Sequence, residues 1–461
     1  MSTDLDWDPG GLSPIRAPEE VADWFAEGYT PRSRWGIGLE YERLGVFSDS
    51  GKAIPYSGER RSLKAVLEEL ARQRGWTAHR ENDHPIALIR DSTKITLEPG
   101  GQTELSSSIQ PTLEGMRNEL CGFVEEINRV SSPHGISWIG IGLQPFTLRD
   151  TIEWVPKFRY QIMSAALGRT GRLAHDMMKR TAGIQINLDY ETEEDAAAKF
   201  RMLMGVSSII TALFANSPLS GGEPNGFMTE RAAIWQETDP ARCGLLPFAF
   251  EDRPLFPAYL EWALDVPMLF VVRDGHWRAV DVPFRRFIRD GYQGLTARVA
   301  DWDLHLTSLF PEVRLKRHLE ARFADSGDAA LAMAQSAMIK GLVYDDAATA
   351  EAWELVRNFT WDQRLALHRD VCRHALEAEV AGISVAELSA GLVQIARRGL
   401  ARLAESTGQD ERHFLAPLDV ILGDGESPAR RLLRLWETGL GQDPRWLVAH
   451  LAQVNLDCYT C

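Results

Sequence analysis

The feature that most constrains the fold is a pair of short segments that combine strand-like alternation with closely spaced glutamates. The first segment, residues 35–42, reads Trp-Gly-Ile-Gly-Leu-Glu-Tyr-Glu and contains Glu40 and Glu42. Because successive side chains of a strand point to opposite faces, both carboxylates are expected on the same face of a sheet. Like charges this close repel each other. The fold therefore needs a cation or several hydrogen-bond donors between them, unless the face is open to solvent.

The second segment repeats this arrangement farther along the chain. Lys94, Thr96 and Glu98 share one face of the predicted strand, whereas the intervening residues are apolar. A Pro-Gly-Gly sequence at 99–101 predicts a turn or bulge before Glu104. Magnesium and other hard divalent cations prefer carboxylate oxygens, so the glutamates of both segments are candidate metal ligands. A solvated strand face is the alternative interpretation.

A third segment, residues 177–189, also predicts a strand, with clear alternation over its second half. Ile184, Ile186 and Leu188 face one way. The residues on the other face are polar or small: Thr181, Gly183, Gln185, Asn187 and Asp189. A polar row on the inner face of a sheet suits a wet substrate cavity, and an edge strand or a solvent-exposed face is the alternative.

Basic residues suited to anionic ligands follow in two places. Arg231 and Arg242 could each bind a carboxylate or phosphate through two parallel hydrogen bonds, with an ordinary surface ion pair as the alternative for either one. Farther on, Glu320 and Arg322 are two residues apart. If the region 302–325 is extended, this spacing predicts an acidic and a basic side chain together on one face.

Helical patterns occupy much of the remaining chain. Apolar spacing and capping residues predict helices at about residues 17–28, 62–74, 112–131, 193–215 and after Ser427. From about residue 328 the composition changes to helix formers without further polar alternation. We therefore predict an α+β fold. A sheet-containing domain would occupy residues 1–326, and a helical carboxyl-terminal region at 327–461 would pack on it.

The net charge and the hydropathy pattern limit the kinds of binding partner that we expect for this protein. The net charge of −15 argues against a protein that binds the phosphate backbone of nucleic acid, because such proteins cluster basic residues. A small anionic ligand remains compatible with local arginines. The first eight residues lack the basic and apolar regions of a secretory signal, and the most apolar stretch, 203–214, is shorter than a membrane span. These features predict a cytoplasmic protein without a membrane segment.

The cysteines do not indicate a metal site or a disulfide framework. They lie at positions 121, 243, 372, 458 and 461, without a zinc-binding spacing. Cys458 and Cys461 have a CxxC spacing, but a metal or redox role is not favoured at a chain end, where fraying is common. Cys121 flanks the apolar stripe of a predicted helix, so we expect a buried free thiol there.

Five motifs taken together resemble the plant and proteobacterial type of glutamate–cysteine ligase. They occur in the order of that family between about residues 30 and 326, with weaker similarity nearly to the end of the chain. They read GIGLEYER from Gly36, LEPGGQTELS from Leu97, MMKRTAGIQINLD from Met177, ALFANSP from Ala212 and FPEVRLKRHLEAR from Phe310.

The resemblance implies a catalytic domain like that of glutamine synthetase, in which a curved antiparallel sheet holds the site on its concave face and helices cover the outside. It also implies magnesium-dependent use of ATP, with L-glutamate and L-cysteine as the other small-molecule substrates. The side-chain carboxylate of glutamate would be phosphorylated, and the amine of cysteine would attack the acyl phosphate. The expected assembly is a monomer or a homodimer.

The resemblance further implies roles for individual residues. The expected magnesium ligands are Glu40, Glu42, Glu98, Glu104 and Glu320. Arg231 is expected to bind the glutamate carboxylate. The cations expected on the phosphate side are Lys94, Arg314, Lys316 and Arg322, of which Lys94 and Arg322 are, with Arg231, the expected catalytic residues. The remaining binding candidates are Gln185, Asn187, Tyr160 and Trp235, the two aromatic residues as pocket walls with core packing as their alternative.

Two alternatives to γ-glutamylcysteine synthesis remain at the level of sequence. One is a γ-glutamyl ligase that uses another amine acceptor or serves another thiol pathway, such as that of ergothioneine. The other is a non-catalytic relative that binds ATP or glutamate as a sensor. The full set of five glutamates argues against the sensor, because a silent copy has no need to keep mutually repelling charges together.

Overall fold

The computed structural model describes residues 13–453 and is organised around an antiparallel sheet of nine strands. The strands are β1 (Ile37–Phe47), β2 (Thr77–Glu81), β3 (His84–Arg90), β4 (Thr93–Leu97), β5 (Thr103–Ser106), β6 (Ile136–Ile139), β7 (Gly183–Leu188), β8 (Val313–Leu315) and β9 (Leu319–Asp325). Hydrogen-bonded neighbours follow the order β8-β9-β7-β1-β5-β4-β3-β2, and β6 pairs with the far end of β1. The long strand β1 therefore lies at the centre, between β7 and β5.

The predicted alternation of β1 and β7 is confirmed. Leu39 and Tyr41 of β1, and Ile184 and Ile186 of β7, belong to the main hydrophobic core. The residues between them face the other side of the sheet, where the polar side chains collect. The sheet therefore has one apolar face that packs into the core and one polar face that can hold a site.

Helices surround the sheet. Up to β8 they are α1 (Leu63–Arg74), α2 (Leu113–Ser131), α3 (Phe158–Thr170), α4 (Ala174–Arg180), α5 (Glu193–Leu213), α6 (Glu230–Gln236), α7 (Leu255–Asp265), α8 (Phe284–Asp290) and α9 (Val299–Leu306). After β9 they are α10 (Ala329–Val343), α11 (Asp346–Val356), α12 (Trp361–His374), α13 (Val385–Thr407), α14 (Ala416–Asp424), α15 (Pro428–Glu437) and α16 (Pro444–Leu451). The apolar face of the sheet contacts α2 and α10.

Side-chain caps explain several helix starts that were predicted from the sequence. Ser62 accepts a hydrogen bond from the backbone N–H of Ala65 at the start of α1, and Thr112 caps α2 in the same way. Ser427 caps α15, whose first residue is Pro428. Proline is favoured at this position because its missing N–H would have no partner within the helix.

Two local predictions are wrong. Residues 177–180 belong to α4 rather than to a strand, which begins only at Gly183. Residues 18–28 form short 3₁₀ turns instead of an α-helix. In both cases a short polar or mixed stretch has similar local preferences for two conformations, and packing decides between them. The region 302–325 begins in α9, but Glu320 and Arg322 lie in the extended strand β9 and contact each other, as predicted.

The carboxyl-terminal helices share the main hydrophobic core with the sheet. This core includes residues on both sides of the predicted boundary, from Ile15 to Ala429. Between β9 and residue 453, the regular elements are helices apart from a two-stranded hairpin at Glu379–Val380 and Ile383–Ser384. The division into residues 1–326 and 327–461 stays a prediction, because the two parts pack as one body of side chains.

One helix of the described chain passes a test of length and composition for crossing a membrane. This helix is α5, and 83% of its apolar window is buried inside the protein. The sequence prediction considered only residues 203–214 and therefore underestimated the length of this apolar helix. Its apolar surface is covered by packing, which is the arrangement of a core helix.

The cysteine predictions have mixed outcomes. Cys121 carries a free thiol, as expected, but it is only half-buried. Cys243 and Cys372 are also free. The CxxC pair at Cys458 and Cys461 lies outside the residues that the structure describes, as does the acidic amino-terminal segment.

Candidate active site

The polar face of the sheet gathers three glutamates, Glu42, Glu98 and Glu104, which we call the acidic cluster. The antiparallel register places Glu42 of β1 directly opposite Glu104 of β5. Glu98 directly follows β4, the next strand of the sheet. All three side chains are buried. The strand pairing therefore produces the crowding of negative charge that the sequence predicted.

Neutral donors hold the carboxylates of this cluster in place. Gln185 Nε2 donates to Glu42 Oε1 at 3.2 Å, and the backbone N–H of Gly183 donates to Glu42 Oε2 at 2.6 Å. The hydroxyl of Ser106 donates to Glu104 Oε1 at 2.8 Å. These contacts orient the oxygens but add no positive charge.

Burial and mutual repulsion disfavour the ionised forms of Glu42 and Glu104. Burial, together with the carboxylates of Glu98 and Glu104, raises the pKa of Glu42 to about 8. Burial, together with Glu40 and Glu98, raises the pKa of Glu104 to about 7. A bound cation would oppose both effects, because it stabilises the charged carboxylates.

The other end of the polar face is neutralised by cations and is called here the paired cluster: Glu320, Arg314, Lys316 and Arg322. Arg314 lies opposite Glu320 across β8 and β9, and its Nε and Nη2 donate to the two carboxylate oxygens at 3.0 and 2.8 Å. Lys316 Nζ lies 3.4 Å from Glu320 Oε2, and Arg322 Nη1 also contacts this carboxylate. Burial alone would raise the pKa of Glu320, but the three cations hold it well below its ordinary value.

The paired cluster changes the interpretation of Glu320. The sequence prediction makes this residue a magnesium ligand, yet its oxygens already have three cationic partners. Arg322 Nη1 also donates a hydrogen bond to Gln185 Oε1. In this structure Glu320 therefore holds Arg314 and Arg322 in place, and a metal ion would have to compete with them.

Glu40 and Asn187 lie between the two clusters. Asn187 of β7 is opposite Glu320, and its Nδ2 donates to Glu40 Oε1 at 3.1 Å. Its Oδ1 is buried and has no hydrogen-bond partner in the structure. A buried acceptor without a donor is costly, so this oxygen also fits a cation.

A small cavity opens beside the acidic cluster. Its lining combines acidic, basic and apolar side chains: Glu42, Glu98, Gln102, Met177, Met178, Thr181, Gln185, Arg231, Trp235 and Arg322. Five of the predicted polar site residues and Trp235 are thus brought together. The sequence interpretation missed Gln102 and the methionines, which lie on a turn and on α4 and follow no strand alternation.

Arg231 is fixed against the sheet by its position at the start of α6. Its Nη2 donates to the carbonyl of Arg322 at 3.1 Å. A Cβ atom on Gly183 would lie 2.5 Å from Arg231 Nη2, so the strand accommodates the guanidinium only because this residue is glycine. Arg231 therefore lies against Gly183 of β7 and lines the cavity.

Asp325 supports Arg231 and was given no role by the sequence. It accepts hydrogen bonds from the hydroxyl groups of Ser217 and Thr229, at 2.7 and 2.9 Å, and lies 3.9 Å from Arg231 Nη1. A register shift between Ala321 and Ala324 places it on the face opposite to that expected from simple alternation. This bulge is not evident from sequence spacing.

The remaining candidates lie in different settings. Lys94 is opposite Ser106 on the polar face, and Trp235 lines the cavity. Tyr160 is buried and does not line it; its hydroxyl donates to the carbonyl of Leu97 at 2.7 Å, which favours the packing role. Arg242 is also committed elsewhere, because its Nε binds the carboxylate of Asp239 at 2.7 Å.

The donor set fits magnesium, although not as a preformed cage. Within residues 13–453, no group of three or more acidic, histidine or cysteine side chains converges as a complete metal site. Magnesium commonly binds one or two carboxylates and completes its shell with water and substrate phosphates. The acidic cluster, Glu40 and the unpartnered oxygen of Asn187 supply donors of the right kind for this mode of binding.

Comparison with known proteins agrees with the site. The family described as glutamate-cysteine ligase family 2 (GCS2) matches residues 36–445. The chain is 36% identical over 424 residues to glutamate–cysteine ligase B, chloroplastic, of Oryza sativa subsp. japonica, and the match covers 91% of this chain and 84% of that protein. It is 35% identical over 428 residues to glutamate–cysteine ligase, chloroplastic, of Arabidopsis thaliana, over 92% and 80% of the two chains.

Structural similarity supports the same fold. The crystal structure of a glutamate–cysteine ligase (gshA) from Francisella tularensis in complex with AMP superposes with a TM-score of 0.57 at 11% identity. The superposition covers 92% of this chain and 90% of that one. The predicted α+β fold, with its glutamine-synthetase-like antiparallel sheet and carboxyl-terminal helices, is confirmed.

Proposed function

The chain belongs to glutamate-cysteine ligase family 2, as its motifs predicted, and we propose that it joins the side-chain carboxylate of L-glutamate to the amine of L-cysteine at the expense of ATP. The product is γ-glutamylcysteine, and the reaction is the first step of glutathione biosynthesis. The observation that carries this proposal is the polar sheet face, where crowded carboxylates meet buried arginines beside one cavity.

The reaction requires anions to approach one another. A γ-carboxylate oxygen of glutamate attacks the terminal phosphorus of ATP, and ADP leaves. The cysteine nitrogen then attacks the γ-carbonyl carbon, and phosphate leaves with the electron pair of the broken C–O bond. Arg231 and Arg322 line the cavity and can orient carboxylate and phosphoryl oxygens, whereas the buried sheet excludes competing water.

Magnesium is the proposed metal at this face. Glu40 and the acidic cluster would hold it, with Asn187 Oδ1 as a further oxygen donor. When bound, magnesium supplies positive charge that neutralises the triphosphate and the transferring phosphoryl group. Arg314 and Lys316 add positive charge at the other end of the face, where Glu320 keeps them fixed.

A coupled assay tests the activity. Purified protein with ATP, magnesium and glutamate should release ADP when cysteine is added, and mass spectrometry should detect γ-glutamylcysteine. If another amine supports faster turnover than cysteine, that amine is the preferred acceptor, and the protein is a related γ-glutamyl ligase. If none of the amines supports turnover, the protein is not a ligase, and the binding-protein alternative is favoured.

Two further parts of the proposal concern the cell and the assembly. We propose a cytoplasmic location for this protein, whereas the rice and Arabidopsis relatives are named as chloroplastic. We also propose a monomer or homodimer without nucleic-acid or membrane partners, supported by the net charge of −15. Cell fractionation and light scattering with the purified protein test these statements.

A further inference from the structure

The segment ALFANSP, residues 212–218, lies outside the lining of the cavity although it is one of the family motifs. It begins in the last residues of α5 and brings Asn216 and Ser217 against the end of β9. The backbone N–H of Asn216 and the hydroxyl of Ser217 both donate to Asp325 Oδ2, at 2.8 and 2.7 Å. Thr229, which caps α6, donates to Asp325 Oδ1 at 2.9 Å. Three separate segments of the chain therefore meet at this one carboxylate.

Two of these hydroxyl groups also hold the backbone of α6, the helix that carries Arg231. Ser217 Oγ accepts a hydrogen bond from the backbone N–H of Arg231 at 3.2 Å, and Thr229 Oγ1 accepts from that of Ala232 at 3.2 Å. A hydroxyl has one proton and two lone pairs, so it can donate to Asp325 and accept from the helix at the same time. Asp325 therefore fixes the first turn of α6 through two hydroxyl groups.

Asp325 is also the closest counter-charge of Arg231. In the described part of the chain it is the only carboxylate in ion-pair contact with this guanidinium, with Nη1 and Oδ1 3.9 Å apart. Arg231 is 4% exposed and Asp325 is 2% exposed. Burial lowers the pKa of Arg231, and Asp325 opposes this shift more than Glu42 or Glu312 does. One carboxylate thus acts on both the backbone position and the charge of Arg231.

We propose that Asp325 is a positioning residue, which fixes Arg231 so that its guanidinium meets the carboxylate of the amino-acid donor in the cavity. A side chain that is already held in its binding position loses little conformational freedom when the ligand arrives, so the ligand binds more tightly. Asp325 does not line the cavity and acts only through Arg231. The inference rests on the proposed function, in which glutamate is the donor.

Kinetic constants of the Asp325→Asn variant test this role, because the substitution removes the charge with little change in size. The KM for glutamate should rise by about tenfold or more, while the KM for ATP stays within about twofold of wild type. Asp301→Asn is the matched control, since Asp301 is equally buried and binds Arg273 through both oxygens outside the cavity lining. The control should leave both KM values unchanged. An unchanged KM for glutamate in Asp325→Asn would overturn the proposal.

A double-mutant cycle with Arg231→Met tests whether Asp325 acts through this arginine. When Asp325→Asn is added to Arg231→Met, kcat/KM for glutamate should change by less than about twofold, because the positioned residue is already absent. A further loss as large as that of Asp325→Asn alone would show an independent effect and would reject the positioning role.

Urea denaturation of the same four proteins gives a readout without ligand. Each single variant leaves one buried charge without its partner, so the double variant should lower the urea midpoint by less than the sum of the two single shifts. Additive shifts would show that Asp325 and Arg231 are not coupled and would contradict the proposal.

Ser217→Ala provides a milder test that changes no charge and applies even if Asp325→Asn does not fold. It removes the hydroxyl between Asp325 and the backbone N–H of Arg231, so the KM for glutamate should rise by about threefold or more. Ser336→Ala is the matched control, because this buried hydroxyl donates to the carbonyl of Ala332 within α10, at 2.9 Å. Equal KM values in Ser217→Ala and the wild-type protein would contradict the inference.

Binding measurements separate this inference from the proposed function. Calorimetric titration with glutamate requires no turnover, so it reports on Arg231 even if no γ-glutamylcysteine forms. Asp325→Asn should bind glutamate about tenfold more weakly than wild type. Equal affinities would overturn the inference alone, whereas a wild-type protein that binds no glutamate would reject the proposed function as well.

Discussion

The two ends of the polar sheet face contain the same residue type in opposite electrostatic settings. In the acidic cluster, Glu42 and Glu104 are held by neutral donors, and their pKa values are raised. In the paired cluster, Glu320 is equally buried, but Arg314 binds both of its oxygens and its pKa is lowered. The glutamates of both clusters are buried, so the charge of the neighbouring groups determines whether the ionised carboxylate is stabilised.

The acidic cluster and the paired cluster are therefore suited to different roles in the site. The paired cluster has three cations around one carboxylate, so Glu320 is stabilised in its ionised form without a ligand and holds the two arginines in position. In the acidic cluster, burial and repulsion disfavour the ionised forms of Glu42 and Glu104, so this cluster is suited to binding a cation. We therefore propose that the five metal ligands predicted from the resemblance divide into a binding group, Glu40 and the acidic cluster, and a supporting residue, Glu320.

The largest effect is expected on breaking the paired cluster. Arg314→Met would leave Glu320 buried without its bidentate partner, at a cost of about 3–5 kcal/mol in the free energy of unfolding. Urea denaturation measures this loss. Arg285→Met is the matched control, because Arg285 forms an exposed pair with Glu261 whose loss should cost less than about 1 kcal/mol. Equal losses in the two variants would contradict the comparison.

The next effect concerns catalysis in the acidic cluster. Glu98→Gln removes one charge from the cavity wall and should lower kcat by about 10²–10³-fold, equivalent to about 3–4 kcal/mol, because charge stabilisation in the reaction is lost. The fold should remain intact, as circular dichroism and thermal unfolding can verify. A wild-type rate in this variant would remove Glu98 from the metal-binding group.

A smaller effect is expected from magnesium on stability. Magnesium should raise the melting temperature of the wild-type protein, with a gain of about 1–3 kcal/mol when the ion is in large excess. Glu104→Gln should reduce this gain and should slightly stabilise the metal-free protein, because it removes one repelling charge. An equal response of both proteins to magnesium would place the ion elsewhere.

The smallest effect tests, with a cation outside the site, how burial and a charged partner together set the pKa of a side chain. Lys199 is buried, its Nζ donates to Asp195 Oδ2 at 2.8 Å, and burial lowers its pKa to about 8. Between pH 8 and its ordinary value near 10.5, the unfolded chain binds more protons than the folded one, so stability from this group rises with pH.

The variant Lys199→Met isolates this contribution. Relative to the variant, the wild-type protein should gain about 1–2 kcal/mol between pH 8 and 9.5. Urea denaturation at the two pH values measures the difference. A wild-type stability that does not change relative to Lys199→Met over this range would mean that Asp195 fully compensates for the burial of the lysine, and a fall would mean that it overcompensates.

Much of the fold was predictable because its signals are local. The alternation of residues 37–42 and 183–188 identifies two strands and their polar faces, and Ser62 and Thr112 mark helix starts. Such signals depend on neighbours within a few positions along the chain. The helix at 177–180 escaped prediction because its surroundings, rather than its own residues, determine its conformation.

The sequence by itself determined which residues share a strand face and which family the chain resembles. Only the tertiary structure decided that Glu42 faces Glu104, that Arg314 neutralises Glu320 and that a bulge turns Asp325 toward Arg231. The physical reason is that alternation is a property of one strand. Cross-strand register and burial arise from pairing between distant segments, and these set the charge balance on which the site depends.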